Sequence, residues 1–256
     1  MRKSKPRSKR GFSEPEGTLC YNLSMSEIKK STEIIPAILP QDFAELEDKV
    51  GLIRGVVKTV QVDICDGHFV PNFTWPYKKK DNTFEQMIRE DEGLPSWETL
   101  DYEFDLMVDH PEKVVDDWVA IGATRIIIHI EAKGDPAKAV EMLQGRVEIG
   151  LALNMNTPVD ALKAYANKIK DGAIQFIQLM GIDNVGFQHQ AFDDKVIERV
   201  KAVKEAFPDL PISVDGGVSL DNAADLIDAG ADRLIVGSAI FAAENPLSAI
   251  AEFQAL

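Results

Sequence analysis

Cysteine is scarce in this chain: two residues in 256, Cys20 and Cys65. Two thiols 45 positions apart cannot build a disulfide framework or a cysteine-based zinc site, so a reducing compartment, the cytoplasm, is the expectation. Long apolar runs are missing as well. No window approaches the ~18 residues of a membrane span, so no membrane partner is expected. With 45% hydrophobic and 27% charged residues, the composition excludes a collagen-like, coiled-coil or wholly disordered chain.

Positive charge is also short, and what there is clusters. Residues 1–24 hold six basic side chains (Arg2, Lys3, Lys5, Arg7, Lys9, Arg10) against Glu14 and Glu16. The net −14 is therefore a +4 head on a −18 body. A body that acidic repels nucleic acid and anionic lipid over most of its surface. The head has no apolar core of a secretory signal, and no apolar periodicity begins before about Ile34. The expected organisation is a basic, disordered leader over residues 1–32, with Met25 as an alternative start, and a single domain over 33–256.

From Glu33 onward one grammar repeats: a short apolar run, a polar or glycine-containing loop, an amphipathic stretch. Apolar runs lie near 34–39, 59–65, 102–108, 125–131, 147–153, 173–180, 212–215 and 233–237. Helical patterns lie near 42–51, 83–91, 111–121, 135–144, 159–170, 193–206, 221–229 and 246–254. Pro111, Pro136, Pro158 and Pro246 mark first turns, with Asp135, Thr157 and Asn245 as caps. "AIGATRIII" and "DAGADRLIV" repeat one phrase: helix end, glycine, buried strand. Strands alternating with helices imply a parallel sheet, and eight units favour a closed (β/α)8 TIM barrel. A doubly wound open sheet is the alternative, but it wants a glycine-rich first turn where Leu39-Pro40-Gln41 stands. Pro36 inside the first run counts mildly against a strand there.

Barrel strands are buried on both faces and should read as continuous apolar runs. Three do not. Gln61 and Asp63 alternate with Val60, Val62 and Ile64; Glu103 and Asp105 alternate with Tyr102, Phe104 and Leu106; Ser213 and Asp215 alternate with Ile212 and Val214. Period two sends the polar sets into the barrel. Asp63, Asp105 and Asp215 lie near the strand ends where barrel active sites are built. A buried carboxylate costs several kcal/mol unless paired, protonated or metal-bound; for Asp105, His110 or Arg125 is a candidate partner. Gly216-Gly217 and Gly237-Ser238 follow strands seven and eight, where backbone N–H groups commonly grip phosphate. The pattern describes a phosphorylated small molecule over inward carboxylates.

Five segments carry a family resemblance: "VDICDGHFVPN" (62–72), "FDLMVDHPE" (104–112), "IIHIEA" (127–132), "SVDGGVS" (213–219) and "AGADRLIVGSAIF" (229–241). In this order and spacing they closely resemble the ribulose-phosphate 3-epimerases. The resemblance implies a (β/α)8 barrel of the ribulose-phosphate-binding type. It also implies interconversion of ribulose 5-phosphate and xylulose 5-phosphate, a divalent metal, and a phosphorylated ketose as partner. Asp63 and Asp215 would exchange the C3 proton on opposite faces through an enediolate. Gly186, Gly216, Gly217, Gly237 and Ser238 would hold the phosphate. Met107 and Cys65 would wall the site, and a homo-oligomer is expected.

The departures from the family pattern are specific. Its two histidine ligand positions are Gln61 and Asp105 here, so the implied metal set becomes Gln61, Asp63, Asp105 and Asp215. Oxygen-only ligation favours Mg²⁺ or Mn²⁺ over zinc. An early Ser is Ala37, and a Met of the strand-two motif is Cys65. The glycine-rich loop after strand six reads "GFQHQ" (186–190), with Gln188 and His189 in place of glycines. The 75–100 segment is longer and more polar than expected, a lid or an oligomer contact. His68 is expected to structure its loop, His129 and Glu131 to pair inside the barrel, and Lys78-Lys79-Lys80 to form a solvated loop. An epimerase or lyase of the same type acting on another ketose phosphate, or a non-catalytic sugar-phosphate-binding protein, are the alternatives.

Overall fold

A computed structural model of the chain describes residues 31–79 and 82–256. The leader expected over 1–32 falls almost wholly outside the described residues, as does Lys80. Eight parallel strands close into a barrel in sequence order. They are β1 (Glu33–Ile38), β2 (Thr59–Cys65), β3 (Asp101–Met107), β4 (Arg125–His129), β5 (Glu148–Leu153), β6 (Phe176–Met180), β7 (Ile212–Asp215) and β8 (Arg233–Val236). Closure is made by β1 on β8, with Ile34 opposite Leu234. Pro36 is tolerated within β1 because the β1–β2 ladder begins only at Ala37, opposite Gln61.

Helices cover the outside: α1 (Phe43–Ile53), α2 (Thr83–Ile88), α3 (Val115–Ala120), α4 (Pro136–Leu143), α5 (Ala166–Lys170), α6 (Lys195–Ala206), α7 (Leu220–Ala229), α8 (Ser238–Phe241) and α9 (Pro246–Gln254). The longer ones present a narrow apolar stripe to the strands. On α1 the stripe is Phe43, Leu46, Val50 and Ile53, each side chain worth ~1.5–3 kcal/mol when fully buried. Asp135 and Asn245 cap α4 and α9 as expected, accepting from Lys138 N and from Leu247 N and Ser248 N. Thr157 does not cap: its hydroxyl bonds Glu131, and the chain from Val159 to Tyr165 winds as a 3₁₀ helix before α5. The pattern near 111–121 likewise splits into a 3₁₀ turn, Pro111–Lys113, and the short α3. Gly122 and Gly230 both end helices at positive φ, +102° and +108°, which accounts for the repeated phrase.

Two-residue alternation sorts the strand side chains. Val60, Val62, Ile64, Tyr102, Phe104 and Leu106 pack outward into the main core. The barrel axis holds small separate groups instead: Ile35, Ala37 and Ile235, and Ile127, Ala152 and Phe176. Gly150 makes room there, since a Cβ on it would lie 2.4 Å from the Phe176 ring.

Below that layer, at the N-terminal mouth, sits a charged plug. Glu103 is fully buried and 3.5 Å from Arg125, which also pairs with Glu148 at 3.0 Å and Glu33 at 3.6 Å. Arg233 pairs with Glu148 at 2.8 Å and Glu33 at 3.3 Å, and lies over the Phe176 ring.

The described part of the 75–100 segment packs on the flank of the barrel. Trp75 is buried among Phe43, Phe84 and Trp118, and none of the segment's described residues reaches the cavity at the C-terminal mouth. Lys78 bonds Gln41 and Lys79 pairs with Asp42 at the start of α1.

Candidate active site

The C-terminal strand ends bring three carboxylates together. Asp63 (β2), Asp105 (β3) and Asp215 (β7) each offer one oxygen within 4.8 Å of the others. Asp63 and Asp215 line a cavity between the loops that follow β6, β7 and β8; Asp105 is fully buried and lies outside its lining. Two amides tie the carboxylates into one unit. Gln61 Nε2 donates to Asp63 Oδ1 at 2.8 Å and to Asp215 Oδ2 at 2.9 Å. Gln178 Nε2 donates to Asp105 Oδ2 at 3.0 Å and to Asp215 Oδ2 at 3.4 Å.

The partner of Asp105 is His129, whose Nε2 lies 3.0 Å from Oδ1. Neither His110 nor Arg125 plays that part. His110 is exposed beside Glu112, and Arg125 enters β4 opposite Glu103, two residues below Asp105. His129 and Glu131 do form the expected internal pair, Nδ1 to Oε2 at 3.7 Å, under the ring of Phe69.

Sequence reading missed Gln178 altogether. Its signal was one glutamine inside the apolar run "FIQLM", of the same parity as the buried Phe176 and Met180.

Crowding like charges in a dry site raises their proton affinity. Burial, then repulsion from Asp215 and Asp105, lifts Asp63 well above the carboxylate range. Burial and Asp105 push Asp215 up to about 7. Burial disfavours the His129 cation, but Asp105 and Glu131 outweigh it and push the imidazole up to about 10. His129 therefore stays charged, and Glu131 is held below its usual range despite burial.

The cluster fits a divalent cation. Opposite ligand oxygens around a Mg²⁺- or Ca²⁺-sized ion lie about 4–5 Å apart, which the three carboxylates match. The buried Oε1 atoms of Gln61 and Gln178 have no partner. A half-turn of the Gln61 amide exchanges nitrogen for oxygen and adds a fourth oxygen beside Asp63 and Asp215.

Around this centre the loops are braced. Asp66 Oδ1 accepts from His68 N and Phe69 N, and Oδ2 accepts from Asp109 N. The "DGHFVPN" loop is thus shaped by its aspartate, while the His68 side chain points to solvent. Asn72 Nδ2 donates to the Gly186 carbonyl at 2.6 Å, joining the β2 and β6 loops. Gly186 (φ +79°) fits there because a Cβ would strike Val70 at 2.8 Å and Cys65 Sγ at 3.2 Å.

Met107, Gly186, Gly216, Gly217, Gly237 and Ser238 all line the cavity. Cys65 does not: it packs behind the wall in the apolar group of Met107, Met180 and Val70, and burial raises its thiol far out of the reactive range.

Proteins of similar sequence are ribulose-phosphate 3-epimerases. The chain is 32% identical over 215 residues to the ribulose-phosphate 3-epimerase of Serratia marcescens, covering 81% of this chain and 94% of that one. It is 30% identical over 229 residues to that of Bacillus subtilis, covering 87% and 98%. Among solved structures, a 3-hexulose-6-phosphate synthase superposes with a TM-score of 0.62 at 17% identity, over 87% of this chain and 98% of that one. Orotidine 5'-monophosphate decarboxylase of Sulfolobus solfataricus superposes at 0.55 and 17%, over 88% and 96%; at such identities the likeness is one of fold. Residues 33–241 match the profile of the Ribulose-phosphate 3 epimerase family, and the chain belongs to that family.

Proposed function

We propose that this protein epimerises ribulose 5-phosphate and xylulose 5-phosphate at C3, with Asp63 and Asp215 as the acid/base pair. One observation carries the reading. Of the three clustered carboxylates, Asp63 and Asp215 line the cavity, and they arrive from β2 and β7 while sharing a single amide donor, Gln61 Nε2.

The chemistry follows from charge. Two carboxylates this close cannot both ionise readily, so one holds a proton while the other is a base. The base takes the C3 proton, and the C3–H electron pair moves toward the C2 carbonyl to form an enediolate. The protonated partner then delivers its proton to the opposite face of C3. The pair ends with its protonation reversed, ready for the reverse reaction. Asp105, held by His129 and Gln178, sets the field that keeps one proton in the pair.

A divalent cation would be held by Asp63, Asp105 and Asp215 with the Gln61 amide oxygen, and an all-oxygen set favours Mg²⁺ or Mn²⁺ over zinc. When bound, it supplies electrostatic stabilisation of the negative charge that develops on the substrate oxygens. Gly216, Gly217, Gly237 and Ser238 face the same cavity, which supports their role at the phosphate. A cytoplasmic setting accords with the buried, unbridged Cys65.

The test is solvent exchange. In D₂O with Mg²⁺ or Mn²⁺, the protein is expected to place deuterium at C3 of ribulose 5-phosphate and to generate xylulose 5-phosphate, both followed by NMR. Absence of exchange with every divalent metal supplied refutes the reading.

A further inference from the structure

The cavity at the C-terminal mouth poses an electrostatic problem, given the reading that a phosphorylated ketose binds there. Its ligand is an anion, its two carboxylates repel anions, and the chain carries a net charge of −14. Among the described residues that line it there is no lysine and no arginine. Backbone N–H groups at Gly216, Gly217 and Gly237 supply only partial charges. One lining side chain can carry a full positive charge, and that is His189.

The conformation of His189 sharpens the point. Its φ is +59°, in the left-handed region that glycine adopts freely and residues with a side chain adopt at a penalty. Strain of this kind at the lip of a site points to a role for the side chain that bears it. Its neighbour Gln188 reaches over β8: Nε2 lies 4.0 Å from where a Cβ on Gly237 would stand. Neither the His189 ring nor the Gln188 amide has a hydrogen-bond partner among the described residues, although the loop carrying them is tied down. Asn72 holds the Gly186 carbonyl, Gln190 Nε2 donates to the Gln188 carbonyl at 3.3 Å, and Asn184 Nδ2 donates to Gln190 Oε1 at 3.4 Å. Two polar side chains without a protein partner thus hang from a braced loop that lines the same cavity as Gly216, Gly217 and Gly237.

We propose that His189 and Gln188 form a side-chain clamp on the substrate phosphate. His189 supplies the charge that the acidic body lacks, and Gln188 Nε2 supplies a second donor on the Gly237 side. Side chains thereby perform part of the grip that a glycine-rich loop performs through its backbone, and the clamp selects phosphorylated over unphosphorylated ketoses.

The experiment uses His189→Gly, His189→Asn and Gln188→Gly in the full chain. Each is assayed for turnover of ribulose 5-phosphate and for competition by inorganic phosphate. A charge-assisted hydrogen bond lost at either position is expected to raise KM and the phosphate inhibition constant together, about tenfold, with the loss falling on KM rather than kcat. His189→Gly should melt at the same temperature or higher, because glycine relieves the backbone; a merely structural histidine would lower it. Unchanged KM and unchanged phosphate inhibition in active variants overturn the clamp. If the wild type turns over no ribulose 5-phosphate, the functional reading fails by itself. The clamp is then decided by phosphorus NMR titration of inorganic phosphate: weaker binding to the variants than to the wild type supports it, and equal binding overturns it.

Discussion

The two mouths of the barrel each bury carboxylates and treat them in opposite ways. At the N-terminal mouth Glu33, Glu103 and Glu148 meet Arg125 and Arg233. Glu148 is held below its usual range there, burial notwithstanding. The deepest acid, Glu103, is raised to about 7, because burial outweighs the two guanidinium groups. At the C-terminal mouth Asp63, Asp105 and Asp215 meet amides and a single imidazolium that touches only Asp105. An amide donor satisfies a lone pair without neutralising a charge. One mouth is therefore a closed plug, and the other keeps unspent negative charge for a proton or a cation.

The largest break in this comparison should come from removing a carboxyl at the open mouth. Asp63→Asn or Asp215→Asn is expected to lower C3 exchange by about 10²–10⁴-fold, the usual worth of a positioned acid or base. Denaturant unfolding should show stability held or raised, since a like charge has gone. Glu103→Gln at the plug should leave exchange intact, and an equal loss there would erase the functional distinction between the mouths.

Arg233→Met tests the plug. It leaves Glu33 and Glu148 with one guanidinium between them, and breaking a buried pair from one side costs about 3–5 kcal/mol. The mouth is partly solvated, so the lower end is expected in urea titration, with the kcat of the folded fraction unchanged.

The pH dependence separates the two ends more finely. Asp63, Asp215 and Glu103 have raised folded-state values, so the folded protein keeps protons that the unfolded chain has released. For Asp215 and Glu103 this stabilising contribution is full below about pH 4 and is lost as pH rises toward about 7, and Asp63 acts in the same direction. Asp215→Asn should flatten that decline. Mg²⁺ or Mn²⁺ should flatten the part that comes from the open mouth and leave the Glu103 part. Binding of either ion near pH 6 should also release protons, read as a buffer-dependent heat in titration calorimetry; a buffer-independent heat would mean that the ion does not compete with those protons.

The smallest effect is expected outside the barrel. Lys163 pairs with Asp160 at 2.8 Å, both well exposed. Lys163→Ala should change stability by at most about 0.5 kcal/mol, against the severalfold larger cost of Arg233→Met.

How much of this was legible depended on periodicity. Strand parity in β2, β3 and β7 exposed the inward aspartates, because alternating Val, Ile, Tyr and Phe frame each polar residue. In β6 the inward polar residue is single, and a lone Gln178 gives no alternation to read; in β4 His129 was read with Glu131 as an internal pair, but its bond to Asp105 on the neighbouring strand was not. The partner of Asp105 was misjudged for a related reason. His110 and Arg125 were the candidates, but parallel register sets Arg125 against Glu103 and leaves Asp105 level with Ile127. Helix ends were least visible where a side chain was claimed elsewhere, as the Thr157 hydroxyl is by Glu131. The glycines after β7 and β8 were readable as cavity lining, whereas the depth of Cys65 depended on how closely Gly186 and Val70 approach it.

Closure of the sheet by β1 on β8 has a consequence for biogenesis. Ile34, Ile35 and Pro36 pair with Leu234, Ile235 and Val236, so the first strand waits through about 200 residues of synthesis for its second neighbour. Until then the growing sheet carries two raw edges, β1 and whichever strand was made last, each able to recruit a foreign strand. Nascent chains stalled before residue 233 should therefore depend on chaperones, and release of a few more residues should end that dependence as the ring seals.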